Sequence, residues 1–455
     1  MQVLSIQDIV KATNGTLICG SDKGEIHTVT TDSRQAGKGV LFIPLKGEKV
    51  DGHDFIMSAL DMGAVSVSQR DIDSDNTVIK VSDTRIALGD IARYYKAKYP
   101  VPTISITGSV GKTTTKDLTY AVIAEKYNTH KTPDNFNNDI GVPLTIFGIE
   151  KEHNAAVIEM GMNHFGEISY LAGIVKPDIA IITNIGMSHI ENLGSQEGIF
   201  RAKMEITENF TEANTLIVNG DDEFLSKIEN TPYKLVKFGM SDKNDVYAKD
   251  IENKGLQGID FTIVYHEGEF RCTLKQPGEH NIYNALSAVC AGLQMGLSEK
   301  ELAKGVESCV YTSSRLEISE HNGMEIINDC YNSSPDSVRA ALKVMTYTLK
   351  SRKVAVLGDK LEMGEYAKDA HFNLGKAVKE LGIDMLITAG NNARYIAEGA
   401  KSEGFDNVIS YSSREDLIKE VNNLVKPDDC ILIKASHGME FYKVTDKITE
   451  LKENI

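Results

Sequence analysis

A β-branched run that leads into a glycine loop ending in Lys-Thr, TISITGSVGKTTT over 103–115, is the stretch of this chain best suited to chemistry. Backbone N–H groups of such a loop converge on phosphate oxygens, a lysine reaches the outer phosphates, and a following hydroxyl holds Mg²⁺. Gly108, Ser109, Val110 and Gly111 supply the loop, Lys112 the cation, and Thr113 and Thr114 the hydroxyls. The first glycine of the longer P-loop pattern would fall at Ile106, so the match is to the shorter Gly-x-x-Gly-Lys-Thr form. The expectation is ATP binding.

Further candidates lie downstream. Glu159 ends the apolar run AAVIE, where an acid beside a phosphate loop can hold Mg²⁺; without the loop it would read as a solvated strand end. His189 follows another apolar run, at the strand end where open α/β sheets bind ligands. Lys203 falls on the apolar stripe of Ile199, Ala202 and Ile206 in a helix starting near Ser195. Two readings follow for it. A lysine kept inside loses its proton easily, and the neutral amine can add CO₂ to become an anionic carbamate. Alternatively, its stem snorkels and the ammonium stays at the rim. Asn281 and Asn284 share a helix face and could read a base edge, or simply cap the helix. Arg315 could stabilise phosphate charge and Asp329 could bond ribose hydroxyls, although surface arginines and strand-end acids are common. Ser33, Arg34, Lys46 and Gly47 sit in glycine-rich turns that could hold a diphosphate or merely connect strands.

The elements that must position these groups alternate between strand and helix. Strands are expected over 40–44 and 64–68, and helices over 54–62 and 84–98. Tyr99-Pro100-Val101-Pro102 reads as a linker. Beyond it, strands over 103–107, 155–159, 179–184 and 215–219 alternate with helices, one of them over 116–126, which implies a parallel sheet covered on both faces. Residues 246–274 read as a β-ribbon excursion, and helices are expected over 281–295 and 298–307. A third rhythm has strands over 324–328, 353–357, 385–388 and 430–434, with a helix capped by Ser334 and opened by Pro335. The fold class is therefore α/β in three domains: 1–99, small and α/β; 100–312, a central P-loop ATPase-like parallel sheet; and 313–455, Rossmann-like.

Composition narrows the partners. The 455 residues are 41% hydrophobic and 25% charged, as in ordinary globular proteins. A net charge of -16 argues against nucleic acid or an anionic membrane as partner, though not against an anionic substrate held by clustered cations. The N-terminal MQVLSIQDIV lacks the basic flank and apolar core of a signal peptide, and no run approaches a membrane span. Six scattered cysteines without a CxxC pair read as reduced thiols of a cytoplasmic protein, expected to be a monomer.

Taken in order, TDSR and DGHDF, TGSVGKTTTKD, NFNNDIGVPLT, EMGMNHFGEI, TNIGMSHIENLGSQEGIFRAKMEI, GEHNIYNALSA, SRLE, NDCYNSSPDS and VLGDKLEMGE resemble the blocks of the Mur ligase family nearly end to end. The block TNIGMSHIENLGSQEGIFRAKMEI and VLGDKLEMGE point to its dipeptide-adding branch. The resemblance implies an ATP-dependent ligase that joins D-alanyl-D-alanine to UDP-N-acetylmuramoyl-tripeptide through an acyl phosphate. It implies that Lys112 holds the β/γ phosphates, that Thr113 and Glu159 hold one Mg²⁺, and that His189 and a carbamylated Lys203 hold a second. Asn284, beside Asn281, would contact adenine, Arg315 the phosphates and Asp329 the ribose. Ser33, Arg34 and the Lys46-Gly47 turn would meet the UDP group, and Asn135, Asn137 and Asn138 would line the muramoyl path. It also implies a third domain that swings on a hinge at 311–314. One departure stands out: His437 occupies a position where relatives usually carry arginine, so a dipeptide carboxylate would be held less firmly there. Competing readings are a sister carboxylate–amine ligase, including one resembling folylpolyglutamate synthase, or a P-loop ATPase that forms no bond. TDSR and DGHDF favour a UDP-sugar over a folate, and no NKxD guanine motif is present.

Overall fold

In the computed structural model, which describes residues 1–450, three main sheets follow one another along the chain, beside a two-stranded pair of Leu4–Ser5 and Glu25–Ile26. The first has five strands in the order Thr16–Cys19, Val78–Lys80, Val65–Ser68, Val40–Phe42 and Thr28–Thr30. The second has nine strands and the third six. The helix Thr84–Lys98 closes the first unit, capped by the Asp83 carboxylate. Its apolar face, with Leu88, Ile91, Ala92 and Tyr95 fully buried, packs into a core that continues to Phe147, Ile158 and Ile182 of the second unit. The Tyr95 hydroxyl donates to the Ile149 carbonyl and accepts from the Gln2 N–H. The first two units therefore share one hydrophobic body. The third unit builds its own cores on the two faces of its sheet.

The middle of the nine-stranded sheet sets up the site. Strand Thr103–Thr107 lies between Ala155–Glu159 and Ile179–Ile182, all parallel and buried. The chain leaves the central strand towards one edge and returns on the other side, so connections diverge at these carboxyl ends and leave a crevice there. In the third sheet, Met324–Asn328, Asp429–Lys434 and Arg352–Gly358 run parallel and deliver Asp329, Lys434 and Asp359 at their ends.

Several details differ from the sequence reading. The stretch over 246–274 is not a detached ribbon: strand Val246–Asn253 pairs in parallel with Lys234–Gly239, and two antiparallel strands then extend the same sheet. The strands Thr129–Lys131, Lys234–Gly239, Glu317–His321 and Val408–Tyr411 have no apolar run to announce them. Glu317–His321 is an edge strand with charged, largely solvated residues, the usual protection of an unpaired edge. The helix expected over 54–62 begins as a 3₁₀ turn, Gly52–Phe55, capped by Asp51, and becomes α-helical only over Ile56–Asp61. The helix after the glycine loop starts at Lys112, earlier than its apolar periodicity indicates, because Gly111 takes the left-handed conformation (φ 85°) that launches it. Residues 451–455 of the third expected domain lie outside the described residues. No helix among the described residues is long and apolar enough to cross a membrane.

Candidate active site

A cleft of about 630 Å³ opens between the second and third units at the carboxyl ends of their strands. Ser109, Val110, Gly111, Lys112, Thr113 and Thr114 form one wall. The loop is held from behind by two residues the sequence reading did not single out. Thr183 Oγ1 donates to the Val110 carbonyl (2.6 Å), and Asn184 brackets Val110 through both amide atoms, accepting from its N–H (2.9 Å) and donating to its carbonyl (3.0 Å). Gly108 lies so close to Thr183 that an added Cβ would fall 1.8 Å from Oγ1. The glycine is therefore needed for close backbone approach as well as for its φ of 152°.

Lys112 Nζ rests on the Gly108 carbonyl (2.8 Å). Burial first, then the nearby Arg315 and Lys360, hold its protonation below the ordinary lysine range, against the opposing pull of Glu159. Glu159 is buried; Oε1 accepts from Asn137 Nδ2 (2.8 Å), and Oε2 has no partner among the described residues. Asn138 caps the following helix through Oδ1, and Asn135 lines the same wall.

Lys203 sits in the helix Gln196–Met204, capped by Ser195, at 2% exposure. Its Nζ makes no hydrogen bond or ion pair among the described residues. Burial, followed by repulsion from Lys112, pushes it well below the ordinary lysine range. Burial at this depth favours the neutral amine over a snorkelling ammonium. His189 takes a left-handed conformation (φ 63°), which turns its ring towards the cleft. Its Nδ1 is 3.4 Å from Glu362 Oε2 of the third unit but without hydrogen-bond geometry. Burial, then Lys112, Lys203 and Lys360, lower its pKa to about 3, so the imidazole is neutral at physiological pH.

Across the cleft, the Arg315 guanidinium stacks 4.1 Å over the Tyr331 ring and pairs with no carboxylate among the described residues. Its carbonyl accepts from Gln276 Nε2. The exposed ring of His437 also lies against Tyr331, tilted, with centroids 5.5 Å apart. Asp329 accepts from Lys434 Nζ (2.5 Å) and from the Leu316 N–H. Asn281 and Asn284 are turned towards each other: Asn284 Nδ2 donates to Asn281 Oδ1, and Asn284 Oδ1 accepts from Thr115. Tyr331 and Lys434 gave no motif signal; a lysine ending the apolar strand CILIK was the available hint for the second. Ser33, Arg34, Lys46 and Gly47 do not line this cleft. Arg34 is held in a bidentate pair by Asp32 in an exposed 3₁₀ turn, and the backbone at Lys46 pairs with that at Asp51 in an isolated antiparallel β-bridge.

Among the described residues no cluster of three or more His, Cys, Asp and Glu side chains forms a ready-made metal site. The oxygen donors that line the same cleft are the Thr113 hydroxyl and Glu159, whose Oε2 is unpartnered among the described residues. Such a set fits Mg²⁺, which takes few protein ligands and completes its shell with phosphate and water. Lys112, Lys360 and Arg315 meanwhile crowd together in a protein of net charge -16. A polyanion entering here relieves mutual repulsion among cations.

The half-buried imidazoles carry a stability consequence. His280, at the cleft, is lowered to about 4 chiefly by burial, and His189 to about 3. Below the ordinary histidine value of about 6.5 the unfolded chain binds protons that the folded chain refuses, so stability must fall as pH drops from that value towards 4. The urea midpoint is expected to fall between pH 7 and pH 5. A His280→Gln variant should lose up to about 2 kcal/mol less over the same interval.

A phosphate loop facing an arginine from a separate α/β unit, with oxygen donors and a buried lysine nearby, defines an ATP-dependent enzyme whose site is completed by two domains. The chain belongs to the Mur ligase family: family models match residues 25–96 (Mur ligase family, catalytic domain), 106–292 (Mur ligase middle domain) and 314–437 (Mur ligase, glutamate ligase domain). It is 38% identical over 455 residues to UDP-N-acetylmuramoyl-tripeptide--D-alanyl-D-alanine ligase of Bacillus subtilis (strain 168), covering 98% of each chain. Its fold superposes on a crystal structure of MurF from Acinetobacter baumannii with a TM-score of 0.92 at 32% identity, covering 99% of this chain and 100% of the other. MurF ligase from Thermotoga maritima, solved in complex with ADP, gives a TM-score of 0.82 at 27% identity over 93% and 97% of the two chains.

Proposed function

We propose that this chain is the ATP-dependent ligase that joins D-alanyl-D-alanine to UDP-N-acetylmuramoyl-tripeptide. The observation that carries the reading is the end-to-end relation to ligases bearing that name, supported by a cationic cleft suited to two anions at once. The terminal carboxylate of the tripeptide attacks the γ-phosphorus of ATP, ADP leaves, and an acyl phosphate remains. The amine of D-alanyl-D-alanine then attacks the acyl carbon, and phosphate departs with a carboxylate oxygen.

Each residue has a part consistent with its setting. The loop amides and Lys112 hold the β and γ phosphates, and Arg315 neutralises them from the third unit, kept planar on Tyr331. Thr113 and Glu159 would hold one Mg²⁺; His189 and a carbamate on Lys203 would hold a second. Such ions bring the carboxylate and the phosphate together by neutralising their charge. Asn284, steadied by Asn281, meets the adenine and Asp329 the ribose. Ser33, Arg34, Lys46 and Gly47 meet the UDP group, with Asn135, Asn137 and Asn138 along the muramoyl path. Closure of the third unit keeps water from the acyl phosphate. The reading puts the enzyme in the cytoplasm as a monomer, in keeping with six free thiols.

His437 lines the cleft on the third unit, where the reading seats the dipeptide carboxylate. His437→Arg should lower the KM for D-alanyl-D-alanine several-fold while leaving the KM for ATP unchanged, since a fixed bidentate cation replaces the imidazole. An unchanged dipeptide KM would remove His437 from that pocket.

The activity is tested by ADP release with ATP and UDP-MurNAc-tripeptide, carrying either lysine or diaminopimelate third, with and without D-alanyl-D-alanine. Dipeptide-dependent release and a product heavier by one D-Ala-D-Ala unit support the ligase. Release indifferent to both substrates would leave an ATPase. Release supported instead by a single amino acid or glutamate would mark a sister ligase.

A further inference from the structure

The crossing from the second unit to the third has an anchor in the phosphate-loop helix. Asp117 lies in the helix Lys112–Ala124, little more than a turn beyond Lys112, and is 1% exposed. Its Oδ2 accepts from both the N–H (2.9 Å) and the hydroxyl (2.7 Å) of Thr312. Its Oδ1 accepts from Lys131 Nζ (2.8 Å) and lies 3.6 Å from Lys116 Nζ. Burial raises the carboxyl, but the two lysines and Thr312 together outweigh it, so the group is a paired carboxylate. Lys131 is fixed in turn over the Tyr120 ring, 4.6 Å from its centroid.

Past Thr312 the attachments change sides. The Ser314 carbonyl accepts from the Tyr331 N–H, the Ser314 N–H donates to Glu317, and the Leu316 N–H donates to Asp329, all within the third unit, while one bond crosses back, from Gln276 Nε2 of the second unit to the Arg315 carbonyl (2.9 Å). Ser314 and Leu316 hold left-handed conformations (φ 59° and 49°) on either side of Arg315. Between the two sets of bonds lies exposed Ser313, for which the structure shows no hydrogen bond.

We propose that Asp117 is a positioning residue that pins the crossover at Thr312, so that the third unit turns about Ser313 and Arg315 reaches the phosphates in register with Lys112. The inference rests on the closure invoked under the proposed function. One rigid helix then ties the phosphate loop to the pivot, and the swing of Arg315 is set by three residues of chain. An arginine misplaced by an ångström costs on the order of 10²-fold in rate.

The test uses Asp117→Asn, which keeps an acceptor for Thr312 but drops the charge that holds the lysines, and Thr312→Val, which removes the hydroxyl alone. Both should lower kcat, by about 10- to 100-fold for the first and less for the second. Directly measured ADP affinity should change less than about threefold. In an Arg315→Ala background the same substitutions should cost little further. Wild-type kcat in both variants, or an undiminished loss without Arg315, would overturn the proposal. Small-angle scattering with a non-hydrolysable ATP analogue gives an arm that does not depend on the amine substrate. The parent chain should compact and Asp117→Asn should not; equal compaction refutes the pinning, whereas absent dipeptide-dependent turnover in the parent refutes the ligase reading instead.

Discussion

Lys203→Ala should reduce ligase turnover by on the order of 10³-fold, and millimolar formate or acetate should restore part of it. The reasoning starts from where the side chain lies. A lysine at 2% exposure, without a partner among the described residues and close enough to Lys112 to feel its charge, is pushed towards the neutral form. A neutral amine is nucleophilic towards CO₂; carbamate formation converts it to an anion and releases a proton. Such an anion would sit beside Lys112 and His189, where a negative group offsets the cations before nucleotide arrives. Alanine removes the anion, and a small carboxylate diffusing into the vacated space replaces its charge. Folding should survive, because the substitution discards a group already costly to bury. Full activity in the variant, or an inactive variant deaf to added carboxylates but normally folded, would sink the carbamate.

Lys112→Ala should be comparably severe, lowering kcat by about 10³-fold and weakening ATP more than ADP. Lys112 rests on the Gly108 carbonyl with its protonation depressed by burial and by neighbouring cations. Arriving phosphates reverse the sign of that environment and return the amine to the ammonium. Nucleotide binding to the parent chain should therefore take up protons at alkaline pH, read as a dependence of the binding enthalpy on buffer ionisation. The uptake should shrink in Lys112→Ala. Proton release on binding, or an uptake unchanged in the variant, would assign the linked group elsewhere.

How much of this could be read along the chain follows from how local each feature is. The glycine loop, Lys112 and Thr113 are consecutive, so their chemistry is visible in one window. The helix Thr84–Lys98 is periodic and capped, and its limits match those expected. Lys203 shows itself as a charge on an apolar stripe, though periodicity alone could not separate a buried amine from a snorkelling one. By contrast, the Thr183 and Asn184 bracket on Val110 exists only because strands Thr103–Thr107 and Ile179–Ile182 pair in register. The Asp117–Thr312 anchor joins residues far apart in sequence through tertiary packing, and no local pattern marks either partner. The stack of Arg315, Tyr331 and His437 likewise comes from sheet topology. Polar edge strands such as Glu317–His321 escaped notice because solvated residues erase the alternation that signals a strand.

The central claim, a ligase working through an acyl phosphate, is tested most directly by isotope transfer. UDP-MurNAc-tripeptide labelled with ¹⁸O in its terminal carboxylate is incubated with ATP, Mg²⁺ and D-alanyl-D-alanine, and the released phosphate is examined by mass. The account predicts one ¹⁸O atom in each phosphate, matched by one new amide bond in the nucleotide-sugar product. Unlabelled phosphate accompanying ADP release would contradict it, because water rather than the tripeptide carboxylate would then have attacked ATP.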